Sequence, residues 1–211
     1  MENSKIGNMK VRDIITVTLL SLCSAVIFFA FSFLYVIPVF ILLFSVFVSL
    51  VQGIFFMMIG IKVPKKGAIL LYAIISGVAG MNLIYALGSI AAGIIGEVLL
   101  AKTGYGKMKT LGIIYVIMQV INAFTSTVYP YAIAFESTKE MIAKTGADIA
   151  LYEKASQMLA GAPIALILAA TGAAVLLGAF IWKQNDEKTR RKRIINGGCI
   201  PYESKEIRFI F

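Results

Sequence analysis

The sequence predicts an all-α protein, namely an integral membrane bundle of six transmembrane helices with both termini cytoplasmic and a helical outer connector between spans five and six. Three observations predict this fold class. Hydrophobic residues make up 59% of the 211 residues, which is more than a soluble domain of this size needs. These residues gather in six stretches, most of them separated by polar or basic breaks. The net charge of +9 comes from Lys and Arg next to those stretches, where they orient a chain in a membrane, so nucleic acid is not an expected partner.

The first predicted span covers residues 14–33, which include no charged side chain. Its length matches the roughly 20 residues that a helix needs to cross a bilayer core. The stretch is too long, and lacks the small-residue cleavage pattern, to be a removed signal peptide. Thr18, Ser21, Ala25 and Ser32 form a stripe of small residues on this helix. Because helices in lipid associate through small residues, the stripe either packs inside its own bundle or docks a separate membrane protein through Thr18, Ser21 and Ala25.

The next three spans follow from apolar length and from breaks in the pattern. Span two covers residues 36–61 and carries Pro38 in its first turn, where a missing N–H is tolerated. A basic break follows, and then come two apolar segments, 68–80 and 83–101. Together these two segments are too long for a single crossing of a ~30 Å core. They therefore predict a tight helical hairpin, which a basic, Gly-containing loop closes.

The remainder of the chain predicts two further spans and a long connector. Span five covers residues 111–129 and is expected to stop at Pro130. The connector, residues 131–161, predicts a helix over 138–159 that lies near the membrane surface. Span six covers 162–182 and ends in a Trp, which favours the membrane interface. The predicted units are therefore a cytoplasmic N-terminus (1–13), a membrane domain (14–182) and a basic tail (183–211), the end of which (194–211) shows no usable periodicity.

The distribution of basic residues predicts the orientation. Six spans place both termini on one side, and 17 of the 20 Lys and Arg residues then lie on that side. The opposite side holds only Lys139, Lys144 and Lys154, all in the connector. Because cytoplasmic loops are enriched in Lys and Arg, the basic side is predicted to be cytoplasmic and the connector to face outward.

Enzyme chemistry is not expected. The chain contains no histidine, which excludes imidazole metal sites, Ser-His-Asp triads and His-ligated haem. The spacing of a phosphate-binding loop is not met, and Cys23 and Cys199 suggest neither a disulfide framework nor a metal site. Glu97 is the one charged residue within a predicted span. It either has a structural role near the basic loop, for example by pairing with Lys102, or takes part in proton or ligand movement.

Polar and aromatic residues collect at the outer ends of the predicted spans. A ligand pocket joins an apolar, aromatic lining to a few placed polar groups, and the set favours such a pocket with the connector as its lid. The alternative is an interfacial tyrosine belt with asparagines that cap helices. A flat polar ring, as in a vitamin or a nucleobase-like compound, suits these side chains, and a haem-like macrocycle with a Tyr, Met or Cys axial ligand stays open. The candidate ligand-binding residues are Asn82, Tyr85, Asn122, Thr125, Tyr129, Tyr131 and Glu136.

The chain resembles the substrate-binding S components of energy-coupling factor transporters, in particular the group labelled Trep_Strep. The resemblance covers about residues 9–193. The segments that carry it are MKVRDIITVTLLSLCSAVIFF (9–29), KVPKKGAILLYAIISGVAGM (62–81) and GIIGEVLLAKTGYGKMKT (93–110), together with the long outer connector, the last span and the basic tail.

This resemblance implies a six-helix protein of the bacterial cell membrane that binds a micronutrient outside and carries it inward by toppling in the membrane. It also implies three partner subunits, which are a transmembrane coupling (T) subunit and two ATPases. The first helix of such proteins meets the coupling subunit through an AxxxA-like arrangement, to which Ser21 and Ala25 correspond in relaxed form. Individual pocket residues do not transfer, because ligands differ across the family. The competing functions are a non-transporting membrane anchor and, least favoured, a membrane enzyme.

Overall fold

The computed structural model describes residues 9–161, 164 and 168–177. Every regular element in this part of the chain is helical, which confirms the all-α prediction. The helices are α1 (Val11–Ala30), α2 (Pro38–Lys62), α3 (Ala68–Ala79), α4 (Leu83–Thr103), α5 (Met108–Ala123), α6 (Phe135–Thr145), α7 (Ile149–Gly161) and α8 (Leu168–Leu177).

Four helical segments are long and apolar enough to cross a membrane, namely Val11–Phe33, Pro38–Lys62, Leu83–Thr103 and Met108–Ile133. Helix α3 has 12 residues and therefore spans only about 18 Å. Helix α8 is also short, and it is the described portion of the predicted span 162–182. The predicted tail, 183–211, lies outside the described residues, as do residues 1–8. The structure thus supports a multi-span helical bundle and provides four of the six predicted crossings at full length.

Helices α3 and α4 form the predicted hairpin. The turn between them places Met81 at φ 50°. Ser89 Oγ donates a hydrogen bond of 3.0 Å to the carbonyl oxygen of Ala73, and a Cβ built on Gly93 would lie only 2.5 Å from Ala73 Cβ. Small side chains therefore bring the two backbones together, which is how helices associate where lipid removes the hydrophobic drive.

The prediction that Pro130 ends the fifth span is wrong. Beyond Ala123 the chain continues as wide π-helical turns over Phe124–Ile133, with Pro130 inside them. In an ordinary α-helix the proline ring clashes with the carbonyl group four residues earlier. A wider turn bonds the backbone in an i→i+5 pattern, so the chain accommodates the ring and remains helical to Ile133.

The connector contains two helices, and the predicted single helix over 138–159 is wrong. Helix α6 ends at Gly146, which adopts the left-handed conformation with φ +73°. Glycine reaches this region without a Cβ clash, so it ends one helix and reorients the chain before α7. Helix α7 then packs on the start of α2, where Ile41, Leu42, Tyr131, Ala155 and Leu159 form a buried cluster.

The loops opposite the connector meet at one end of the bundle. Lys65 Nζ, in the loop between α2 and α3, lies 2.6 Å from Asp13 Oδ2 at the start of α1. A Cβ built on Gly106, in the loop between α4 and α5, would lie 3.3 Å from Pro64 Cβ. The N-terminal end of α1 and the two basic loops are therefore neighbours, as the predicted topology requires.

Candidate ligand-binding site

A small cavity with both apolar and polar lining residues lies between the helices, in the half of the bundle nearest the connector. Its volume is about 20 Å³, which is room for about one water molecule. Helices α1, α2, α4 and the α5 segment all contribute to its wall. The lining residues are Phe28, Phe44, Ser45, Val48, Gln52, Tyr85, Gln119, Asn122, Ala123 and Ser126.

A chain of hydrogen bonds holds one wall of this cavity in place. The Tyr115 hydroxyl donates to the carbonyl oxygen of Ser49 at 2.6 Å and accepts a hydrogen bond of 2.8 Å from Gln119 Nε2. Tyr115 comes this close to α2 because of Gly53, where a Cβ would lie 2.9 Å from the tyrosine ring. Gly53 on α2 and Tyr115 on α5 thus fix the orientation of the Gln119 amide.

Asn122 is the unusual member of the lining. Its side chain is only 6% exposed, and its Oδ1 has no hydrogen-bond partner in the described part of the chain. A buried polar atom without a partner costs about 1–3 kcal/mol, and such a group calls for an explanation. Because Asn122 lines a cavity, an occupant that donates a hydrogen bond would supply the missing partner.

Aromatic rings from three helices form the opposite wall. Phe28 of α1 meets Phe44 of α2 edge to face, with ring centroids 5.2 Å apart. The same Phe28 stacks on Tyr85 of α4 at 6.3 Å and an interplanar angle of 30°. The cavity therefore combines aromatic faces with amide and hydroxyl groups, the combination that small-molecule sites use.

The seven predicted ligand-binding residues do not form a single site. Tyr85 and Asn122 line the cavity. Asn82 caps α4 by accepting hydrogen bonds from the backbone N–H groups of Ile84 and Tyr85, the alternative role that the sequence left open. The other four lie elsewhere: Thr125 bonds to carbonyl groups of its own helix, Tyr129 is half-buried, Tyr131 stacks on Tyr152 and Glu136 is exposed in the first turn of α6.

Comparison with protein-family models assigns the chain to a family. A family model described as a hypothetical bacterial integral membrane protein (Trep_Strep) matches residues 11–185. The chain belongs to this family. It is accordingly a multi-pass protein of the bacterial cell membrane, in contact with the lipid bilayer. Searches of curated proteins and of solved structures each return no match.

Most of the cavity wall of this Trep_Strep protein was missed by sequence reasoning. The missed polar residues include Gln52 and Gln119, which are 4% and 6% exposed. A signal for them does exist, since they are the only glutamines within the four long apolar segments. Polar residues inside membrane spans mark functional positions, and the same rule applied to amides would have selected this pair.

Helix α1 turns part of its small stripe inward. Ser21 is completely buried, and its Oγ donates to the carbonyl oxygen of Val17 at 2.8 Å. Thr18 and Ala25, on either side of it, are half-buried. Bulky side chains such as Leu19 and Val26, 62% and 65% exposed, cover the outer face. Of the predicted partner contacts, Thr18 and Ala25 reach the surface and Ser21 packs within the chain.

Glu97 has a structural role in this fold. Its Oε1 accepts hydrogen bonds from the backbone N–H groups of Ile69 at 3.0 Å and Leu70 at 3.3 Å, and its Oε2 accepts one of 3.0 Å from the Tyr105 hydroxyl. Those N–H groups belong to the first turn of α3, which begins after Gly67 and has no capping side chain of its own. The partners of Glu97 are therefore α3 and Tyr105, and the expected pairing with Lys102 is not among the ion pairs of the described residues.

The pKa of the Tyr105 hydroxyl reflects this arrangement. Partial burial raises the pKa of its hydroxyl to about 12, and the neighbouring negative charge of Glu97 adds to the effect. Tyr105 lies in the loop between α4 and α5, at the basic end of the bundle and far along α4 from Tyr85. The two ends of α4 thus carry different chemistry, with a capping carboxylate at one end and the cavity at the other.

Proposed function

We propose that the chain is the substrate-capture (S) subunit of an energy-coupling factor importer. It binds a vitamin or another micronutrient outside the cell and delivers it inward together with a transmembrane coupling (T) subunit and two ATPases. In this proposal the chain crosses the membrane six times with both termini cytoplasmic, so that α3 and the segment containing α8 serve as crossings in addition to the four long segments.

The buried, unpartnered Asn122 beside the cavity is the observation that carries this proposal. Amide and hydroxyl groups in a membrane bundle can join helices by hydrogen bonds, as Tyr115 does for α5 and α2, but the Asn122 oxygen has no such partner among the described residues. Asn122, Gln52 and Gln119 are each at least nine-tenths buried. Polar groups inside a membrane bundle are costly and mark pathways or binding sites, which favours substrate binding over a purely structural role.

The position of the cavity also supports capture from outside. Tyr85 lies in the first turn of α4, and Asn122 lies near the last turn of α5, close to the connector. Lys65 and Tyr105 mark the opposite end, where the basic loops meet. Because the basic end is predicted to be cytoplasmic, the cavity lies in the outer half of the bundle.

The proposal assigns no catalysis to this chain. ATP hydrolysis belongs to the two partner ATPases, and the coupling subunit contacts α1. Thr18 and Ala25 are small, half-buried residues on that helix, where a neighbouring helix can approach closely. Ser21, on the same helix, is buried within the chain.

Purification of the tagged full-length chain from its native membrane tests the proposal. The expected result is co-purification of a transmembrane partner and two ATPase subunits, together with ATP-dependent uptake of a small molecule. Ala25→Leu is expected to remove these partners because a large side chain blocks close helix approach, whereas the control Val26→Leu, at a position 65% exposed, is expected to retain them. Isolation of the chain without ATPase subunits, and uptake unaffected by its deletion, would refute the assignment.

A further inference from the structure

The lining of the cavity carries no formal charge. Its polar members are amides and hydroxyls, and none of the ten lining residues is Asp, Glu, Lys or Arg. Glu97, the only acidic residue of α4 and α5, accepts hydrogen bonds from α3 and Tyr105 at the other end of α4. An ionised ligand in the cavity would therefore lie in a low-dielectric site without a counter-charge, which is strongly unfavourable.

The hydrogen bonds already formed leave the Asn122 oxygen as an acceptor for a ligand. The Tyr115 hydroxyl has a single proton, which it donates to Ser49, so Gln119 must present its Nε2 to the tyrosine oxygen. The carbonyl oxygen of Gln119 is then on the other edge of its amide. Asn122 adds Oδ1, a buried acceptor with no partner among the described residues. The unpartnered Asn122 oxygen, one helical turn from the Gln119 amide, therefore favours a ligand that offers an N–H donor.

We expect the wall formed by α1 to move most easily when a ligand enters. Only 17% of the α1 segment is buried inside the protein, against 33–50% of the other three long segments. Phe28 on α1 is half-buried and closes the cavity against Phe44 and Tyr85. Because the cavity now has room for about one water, a larger ligand enters as Phe28 moves and then lies against the aromatic faces of this wall.

We infer that the cavity takes a neutral, planar molecule that donates hydrogen bonds, such as a heterocycle with ring or amide N–H groups, and that it rejects ionised ligands. This inference rests on the proposed substrate-capture function and specifies the chemical class of its substrate. The unpartnered oxygen of Asn122 accepts a hydrogen bond from the donor, and the aromatic wall packs against the flat ring.

Two matched probe pairs test this inference on the purified full-length chain, with thermal unfolding and direct binding as readouts. Uracil and orotate share a ring with two N–H donors, but orotate also carries a carboxylate. In the second pair, benzamide is neutral and benzoate carries a carboxylate. The neutral member of a pair is expected to raise the unfolding temperature by about 5–10 °C at roughly 100 times its Kd. The charged member is expected to bind at least about 100-fold more weakly, since its charge would be buried without a partner.

Asn122→Leu is the diagnostic variant. It replaces the unpartnered acceptor by an apolar group of similar size, so the variant is expected to fold at least as stably as the natural chain while losing the response to the neutral probes. Gln157→Leu, a glutamine exposed on α7, is the matched control and is expected to respond normally. Stronger binding of the carboxylates, an equal response in Asn122→Leu, or no response to either neutral probe would overturn the inference.

These outcomes separate the inference from the function on which it rests. ATP-dependent uptake of an ionised substrate would leave the importer assignment standing and overturn the inference about ligand class. Selective binding of the neutral probes by a chain that never associates with ATPase subunits would support the ligand class and refute the importer assignment.

Discussion

Replacement of Glu97 by alanine is expected to destabilise the bundle substantially. The substitution leaves the N–H groups of Ile69 and Leu70 without their acceptor and removes the partner of the Tyr105 hydroxyl. Loss of a helix N-cap costs about 0.5–2 kcal/mol, and hydrogen bonds to a charged group contribute about 1.5–3 kcal/mol each. Since solvent reaches part of this site, we expect a loss of about 3 kcal/mol, or a fall of about 6–12 °C in the unfolding temperature.

Thermal unfolding of the purified protein in detergent measures this effect. Glu97→Gln keeps an oxygen acceptor for α3, so it is expected to lose only about 1 kcal/mol, and Tyr105→Phe is expected to lose a similar amount. An unfolding temperature unchanged in Glu97→Ala, combined with lost substrate uptake, would refute the capping role and restore the alternative role in proton or ligand movement.

The titration of Tyr105 provides a second readout of the same contact. Its pKa is raised from 10.0 to about 12 in the folded protein, so the neutral hydroxyl is favoured by the fold. The resulting stabilisation is complete below pH 10 and is lost as the pH rises toward 12. In Glu97→Gln the pKa of Tyr105 is expected to fall, because the neighbouring negative charge is gone. Difference absorbance of tyrosinate between this variant and the natural chain measures the shift.

Three further predictions follow from the packing and the topology. Gly93→Leu is expected to destabilise the α3–α4 hairpin by about 1–3 kcal/mol through overpacking, whereas the control Gly112→Ala, with no neighbour within 4 Å of the new Cβ, is expected to leave the unfolding temperature unchanged or higher. In a chain freed of its two native cysteines, Lys144→Cys should react with an impermeant thiol reagent outside intact cells and Lys66→Cys should not, and the opposite labelling would overturn the topology. Ser156→Ala removes a 2.7 Å hydrogen bond that joins α7 to the end of the fifth span, so amide exchange in the connector is expected to be about five-fold faster; unchanged exchange would show that this bond does not hold α7 in place.

The features that the sequence predicts well are those governed by local patterns. The α3–α4 hairpin follows from apolar length and from the Gly80 to Asn82 turn, and the structure places it as expected. Pro38 at the start of α2 is another local signal that the structure confirms. Pro130 misled the prediction because proline ends α-helices but is compatible with wider turns, and composition does not reveal which type of turn a helix adopts.

The cavity depends on contacts between helices, so the sequence predicted only a part of it. Their position at the level of the outer span ends predicts Tyr85 and Asn122 as ligand-binding residues, and both line the cavity. Gln52 lies deeper and is the only amide side chain on α2. Next to it in the chain, Gly53 lets Tyr115 pack directly against α2. Such a pairing, 62 positions apart in the chain, leaves no periodic signal.

Helix α1 connects the two surfaces that the proposed function needs. Phe28 of α1 closes the cavity, and Thr18 and Ala25 lie on the same helix at half-buried positions. The other long segments are held more firmly, since they are buried to a greater extent than α1. In the proposed importer, a ligand that displaces Phe28 would move the helix on which we place the coupling-subunit contact, and the partner would in turn favour the arrangement of α1 to which it binds better. Such coupling is reciprocal. If the ligand changes the affinity of the chain for the coupling subunit by some factor, the coupling subunit should change the affinity of the cavity for its ligand by the same factor.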